Sequence, residues 1–376
     1  MILTTLIATK ITPSLKNLPL ITVLVLLAAC SPPPPSSKVL IDTSTLAVLP
    51  AYQLFSQTSQ QLKITADNFC QTPNAEQFDL VRAAWRANVD SWSGVQNLQF
   101  GPLLVDNQAW KIQFWPDKKN LIARKVESLL RTGEALNVKR IDEASVVVQG
   151  LSSLEYLLFD SKFGVLDRYT GEQGSRRCEL LSAVSTHLHS VASGLFNDWR
   201  PDLGNYLATF TQTGEHNPEY PDDSVAMANL LGTLVEGVEL IKRDKFERPL
   251  GLASSGAQPQ IYLLEWWRSE YSKDAIIANL KALKTLFVAA DGYGLDDYLL
   301  NVKKRGDLST QIQQHIEKSI TAASAMPNSL FGSVEPRSQI ELMNFQKAIS
   351  ELLALLKSDL PDALGISLGF NAKDGD

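Results

Sequence analysis

Histidine is the side chain best suited to bind a metal or move a proton near neutral pH, and this chain has four: His187, His189, His216 and His315. None belongs to an HExxH pattern. His187 and His189 are two residues apart and would project about 200° apart on a helix, so they cannot easily share a metal and read as surface histidines. The sequence contains neither a GxSxG nucleophile elbow nor a GxxxxGK[ST] phosphate loop. Gly292-Tyr293-Gly294 lacks the third glycine and the preceding strand of a dinucleotide fingerprint, which leaves a helix-to-helix turn. Asp291, Asp296, Asp297, Asp374 and Asp376 are hard oxygen donors without EF-hand spacing, so beside their glycines they read as caps and turns. Helical spacing assigns several of the seven tryptophans to a core, and Trp115, just before Pro116, stands out as an aromatic platform for a ligand.

The three cysteines point to export. Lys10 and Lys16 precede twelve apolar residues, Leu18 to Ala29, and Leu27-Ala28-Ala29-Cys30 ends that run as a lipobox. Twelve residues are too few to cross about 30 Å of hydrocarbon, so residues 1–29 read as a lipoprotein signal peptide and Cys30 as the lipidated residue. Ser31 is not Asp, which favours the outer membrane over retention at the inner one, and gives a periplasm-facing, lipid-anchored protein of the cell envelope. Cys70 and Cys178 remain as one pair in an oxidising compartment, where a disulfide is the simplest reading.

Positioning such residues falls to helices. Phe78, Val81, Trp85, Val89 and Trp92 recur at spacings of three and four, predicting an amphipathic helix over 76–97 that exposes Arg82, Arg86 and Asp90. The same period runs through Leu181 to Leu195, Met227 to Ile241 and Ile340 to Leu356, and no stretch shows sustained alternation, so the fold class is all-α. Pro32 to Pro35 with Ser36 and Ser37 reads as an extended tether over 30–45. The polar stretch Thr211 to Asp223 separates two helical bundles of similar size, 46–215 and 216–376, which suggests a duplication.

Composition narrows the function. The 376 residues are 44% hydrophobic and 20% charged, enough for two packed domains. Acidic residues outnumber Lys plus Arg by 41 to 35 and no basic run is dense enough for a phosphate backbone, so nucleic acid is not a partner. Removal of the two-lysine leader takes the formal charge from −6 to −8.

Several motifs in order then carry a resemblance. Phe100-Gly101-Pro102, Gln113-Phe114-Trp115-Pro116-Asp117 and Gly150-Leu151-Ser152-Ser153-Leu154-Glu155 resemble the first half of imelysin-like proteins. Glu247-Arg248-Pro249-Leu250-Gly251, Gly292 to Asp297 and the ending Leu368 to Asp376 resemble the second. The resemblance covers roughly residues 45–376. It implies two helical bundles, a bacterial envelope lipoprotein and a link to iron uptake, with iron-uptake proteins as partners. Some relatives are classed as metallopeptidases on a GxHxxE motif, whose His and Glu lie on one helix face. Here the matching residues are Gly150, Ser152 and Glu155, so serine replaces the histidine. Glu155 alone falls short of the three protein ligands of a catalytic zinc, and a hydroxyl is a weak divalent-metal ligand. The expectation is therefore a non-catalytic protein that binds a metal species such as iron, a small ligand or a partner through the inter-domain cleft, with Ser152, Glu155 and Trp115 as its binding residues. A metallopeptidase and a structural adaptor lipoprotein are the alternatives.

Overall fold

The computed structural model describes residues 33–333 and 336–367, and every regular element among them is helical. The first half comprises α1 (Pro35–Thr43), α2 (Leu49–Gln71), α3 (Ala75–Val95), α4 (Gln108–Ile112), α5 (Leu121–Leu130), α6 (Val138–Asp142), α7 (Gly150–Phe159), α8 (Asp167–Thr170) and α9 (Gly174–Trp199). The chain continues through α10 (Tyr206–Thr211), α11 (Asp223–Glu239), α12 (Ser272–Phe287), α13 (Leu295–Asn301), α14 (Gly306–Ala325), α15 (Ile340–Ala354) and α16 (Leu360–Leu364). Wider π turns at Ser44–Val48, Leu240–Glu247 and Leu355–Asp359 continue α1, α11 and α15. The expected signal segment 1–29, Cys30, and the ending Leu368 to Asp376 with Asp374 and Asp376 lie outside the described residues.

Packing follows the predicted stripes. Phe78, Val81, Trp85, Val89 and Trp92 form the buried side of α3, whose first turn is fixed by Asn74 accepting the Gln77 N–H. α2 packs on α3 and α9, α9 on α7, α3 on α12, α12 on α14 and α14 on α15. One apolar core therefore takes side chains from both sides of the 215/216 boundary. Cys70 at the end of α2 is bonded to Cys178 on α9, with Cα atoms 5.3 Å apart. Among the described residues two helical stretches, Pro35–Gln71 and Asp223–Glu247, are long and apolar enough to cross a membrane. Their apolar sides go into this core instead, as with Tyr52, Phe55, Leu62 and Phe69 of α2.

Three local expectations are corrected. The tether expected over 30–45 is helical from Pro35, because proline at the first helical position costs no hydrogen bond and presets φ. Ser36 and Ser37 donate to Asp223 at 2.6 and 2.7 Å, and Val39 and Leu40 are fully buried, so this segment is part of the fold. His187 is buried, with Nε2 3.3 Å from Asp142, and desolvation lowers its pKa; only His216 of the four is exposed. Arg82 and Arg86 are half-buried, and Arg82 donates to the carbonyls of Leu158 and Gly164, tying α3 to the end of α7.

Candidate functional site

The motif helix α7 is buried along nearly its whole length, from Gly150 to Leu158. It can start there only with glycine. Gly150 has φ +63°, and a Cβ would lie 2.1 Å from the Ile112 carbonyl oxygen, so α4 passes directly over the first turn. Ser152 and Glu155, three residues apart, share one face and are each 3% exposed. They line a cavity of about 20 Å³ together with Trp115, Gln113, Trp266 and Arg268. The three expected site residues are thus brought together, in a space large enough for one water molecule.

Glu155 is held from across the chain. Its Oε1 accepts from the Ser269 backbone N–H at 3.0 Å and from the Ser269 hydroxyl at 2.8 Å. Burial pushes the Glu155 carboxyl above the usual carboxylate range, and the Arg268 guanidinium and the Ser269 donors oppose that shift. Arg268 is itself fixed: it donates to Asn120 at 2.6 Å, lies 3.4 Å from Asp160 and stacks over Trp267 with 4.2 Å to the ring centroid. The Gln113–Asp117 motif builds the adjoining wall. Trp115 donates to the Leu263 carbonyl at 2.9 Å, and Asp117 accepts from the N–H groups of Leu121 and Ile122, setting the start of α5.

These residues do not fit the zinc that the metallopeptidase relatives imply. Ser152 supplies a neutral hydroxyl, Glu155 already has two donors, and a permanent cation, Arg268, faces it. Among the described residues no group of three His, Cys, Asp or Glu side chains converges anywhere in the fold.

Beside this cavity lies a second buried polar cluster. Lys245, on the π turn after α11, is 1% exposed and lies 2.7 Å from Glu265, which is 2% exposed. Lys245 also donates to Gln96 at 2.7 Å and to Asn279 at 2.6 Å. Glu265 accepts from Gln96 and Gln113, and Gln113 accepts from Trp92 at 2.6 Å. Burial pulls the Lys245 ammonium below its ordinary pKa and Glu265 counters that. The cluster joins α3, the Gln113 segment, the π turn, the 265 loop and α12 in one network.

Arg268, Ser269, Lys245 and Glu265 carry the electrostatics of this region, and none was a candidate from the sequence. Trp266-Trp267-Arg268-Ser269 has no motif spacing, and Lys245 looks like any lysine in a charged run. The one available signal was that Gln113 and Trp115 sit in a motif without an obvious catalytic role.

Comparison with known proteins agrees with this architecture. The family model for imelysin, peptidase M75, matches residues 48–356. Iron-regulated protein A of Synechococcus elongatus is 24% identical over 207 residues, 54% of this chain and 52% of that protein, so the chain spans about half the length of this curated relative. The crystal structure of an imelysin-like protein from Psychrobacter arcticum superposes with a TM-score of 0.74 at 20% identity, covering 89% of this chain and 97% of that one. A putative iron-regulated protein A precursor from Parabacteroides distasonis gives 0.71 at 18% identity, with the same coverage.

Proposed function

The chain belongs to the imelysin family, and we propose that it is a non-catalytic member: an exported, lipid-anchored envelope protein that serves iron acquisition by binding a ligand or a partner. The observation that carries this reading is the state of the motif. A serine stands where the family has histidine, and Glu155 is engaged by Ser269 and faced by Arg268 in a space of about 20 Å³. Such a carboxylate clasps α7 to the 266–269 loop; it is not poised to hold a metal and activate water. Export is supported by the lipobox Leu27 to Cys30 and by the Cys70–Cys178 disulfide. The iron link is supported by the names of two relatives, the iron-regulated protein A of Synechococcus elongatus and the putative iron-regulated protein A precursor of Parabacteroides distasonis. The filled space at Glu155 also favours a second reading, an adaptor that uses no ligand at this position.

The test is zinc titration and a peptide-cleavage screen on the purified mature protein, with Ser152→His and Ser152→His/Arg268→Ala alongside. Wild type should show no chelator-sensitive cleavage. Ser152→His should gain little zinc affinity, because Arg268 still faces the carboxylate, and the double variant should gain at least about tenfold over it, the scale of one good ligand interaction. Chelator-sensitive cleavage by wild type that is lost on Glu155→Ala would return the protein to the peptidases.

A further inference from the structure

The outer side of α5 walls an open basin of about 660 Å³. α5 turns Ile122, Val126, Leu129 and Leu130 into the core, so Arg124, Ser128 and Arg131, spaced by four and three residues, come out together on the far face beside Lys125. Tyr156, which follows Glu155 on the motif helix, and Phe163 also line the basin. Arg124, Lys125 and Arg131 are exposed, and among the described residues no ion pair ties any of them to an acid. The one acid in the lining is Glu127. It stands four residues before Arg131, at the spacing of a helical partner, but its Oε1 accepts instead from Arg177, itself 2% exposed, at 2.6 Å and from the Tyr156 hydroxyl at 2.9 Å. Asp160, just after α7, is taken as well: it lies 3.4 Å from Arg268 and accepts from the N–H groups of Lys162 and Phe163. Lys162 and Arg168 extend the positive charge, 5.1 and 5.3 Å from the Phe163 ring centroid and again without an ion pair among the described residues. Elsewhere Lys38, Lys63, Arg140 and Lys318 each have an acid within 2.8 Å, in a chain with 41 acidic residues and a formal charge of −6. Cations left together where acids are plentiful hold a positive potential that a bound anion relieves.

We propose that this basin is a binding site for a small oxyanion bearing at least two negative charges, a polycarboxylate or a polyphosphate, held by Arg124, Lys125 and Arg131. Each part of that description has a cause. Two guanidinium forks match the paired oxygens of a carboxylate or a phosphate, and the lysine adds a point charge. The charge must be multiple, because Glu127 is offset by Arg177 and three cations remain in the lining, two of which a monoanion would leave unmatched. A volume of about 660 Å³ lies in the range of small-molecule sites, and a hollow admits a compact anion more readily than a flat bilayer or a stiff duplex. An aromatic ligand is not called for. Tyr156 is buried, and Lys162, Arg168 and Arg177 already lie over the Phe163 ring.

The probes are citrate and tripolyphosphate, with acetate as the monoanion, titrated by calorimetry into the purified mature protein at an ionic strength of about 0.02 M, where screening is weak. At least one of the first two should bind saturably with a Kd of about 1 mM or tighter, and which one binds tells carboxylate from phosphate. Acetate should bind at least about tenfold more weakly, and about 0.15 M salt should weaken the multivalent anion. Arg124→Gln/Arg131→Gln should lose at least about tenfold in affinity, since each change removes a charge-assisted contact. That variant should melt within about 1 °C of wild type, because both side chains are exposed and outside any ion pair among the described residues. Lys347→Gln/Lys357→Gln removes the same charge from exposed positions on α15 and the π turn that continues it, and should leave binding unchanged. Saturable binding of neither multivalent anion, or acetate bound as tightly, would overturn the proposal. Binding that survives Arg124→Gln/Arg131→Gln, or a loss that Lys347→Gln/Lys357→Gln reproduces, would overturn it too, the latter by reducing the effect to overall charge. None of these results depends on whether the protein cleaves peptides or binds zinc at Glu155.

Discussion

Replacing Lys245 by methionine is the sharpest probe of how this site region is held. Lys245 and Glu265 are 1% and 2% exposed with their charged atoms 2.7 Å apart, so removing the ammonium leaves Glu265 buried beside amide donors alone. Asn279 Oδ1 loses its donor at 2.6 Å and Gln96 Oε1 keeps only a long contact with Asn279 at 3.4 Å. Methionine preserves most of the stem volume, so the loss is electrostatic and not a cavity effect. Breaking one side of a buried pair costs about 3–5 kcal/mol, which for a chain of this size lowers the melting temperature by about 4–7 °C. Glu265→Gln keeps an acceptor for Gln96 and Gln113, so in Lys245→Met/Glu265→Gln the uncompensated charge is gone. That double variant should recover at least half of the loss, a favourable coupling of about 1.5 kcal/mol or more in a double-mutant cycle. Thermal and urea melts of the four proteins decide it. A Lys245→Met variant within about 1 kcal/mol of wild type, or losses that simply add, would show that the pair does not act as a unit and refute the reasoning.

Two further expectations can be checked by the same melts. The folded-state pKa of Glu155 is raised by burial, so its contribution to stability is full below the unfolded carboxyl range, about 4.3, and is lost as pH rises through the folded value. Glu155→Gln, which mimics the protonated form, should therefore gain stability relative to wild type between about pH 4 and neutrality; a gap that moves the other way would mean that the attraction of Arg268 outweighs burial. Cys70→Ala, or reduction of the Cys70–Cys178 bond across its separation of 108 residues, should cost about 2–5 kcal/mol, and a reduced protein that melts like the oxidised one would show the bond to be dispensable.

Apolar residues at spacings of three and four told where helices would run, because that period is a local property of the chain: α3, α9, α11 and α15 appear where Phe78, Leu181, Met227 and Ile340 begin their stripes. Cysteine count, once the lipobox had claimed Cys30, paired Cys70 with Cys178. Ordered motifs placed Ser152, Glu155 and Trp115 in one region, and the structure puts them around one small cavity. Periodicity identifies a buried stripe but not what it meets, and the decisive partners come from far along the chain. Ser269 reaches Glu155 across 114 residues, and Gln96 meets Glu265 across 169. Lys245 was no candidate because sequence shows a lysine's charge and not the acid and amides that make its burial tolerable. His187 was misread for the same reason, and Pro35 because a proline that ends one reading begins a helix when an apolar face such as Val39 and Leu40 has a core to enter. Only the tertiary structure set the size of the space at Glu155, about 20 Å³, since volume is what remains after elements distant in sequence have packed.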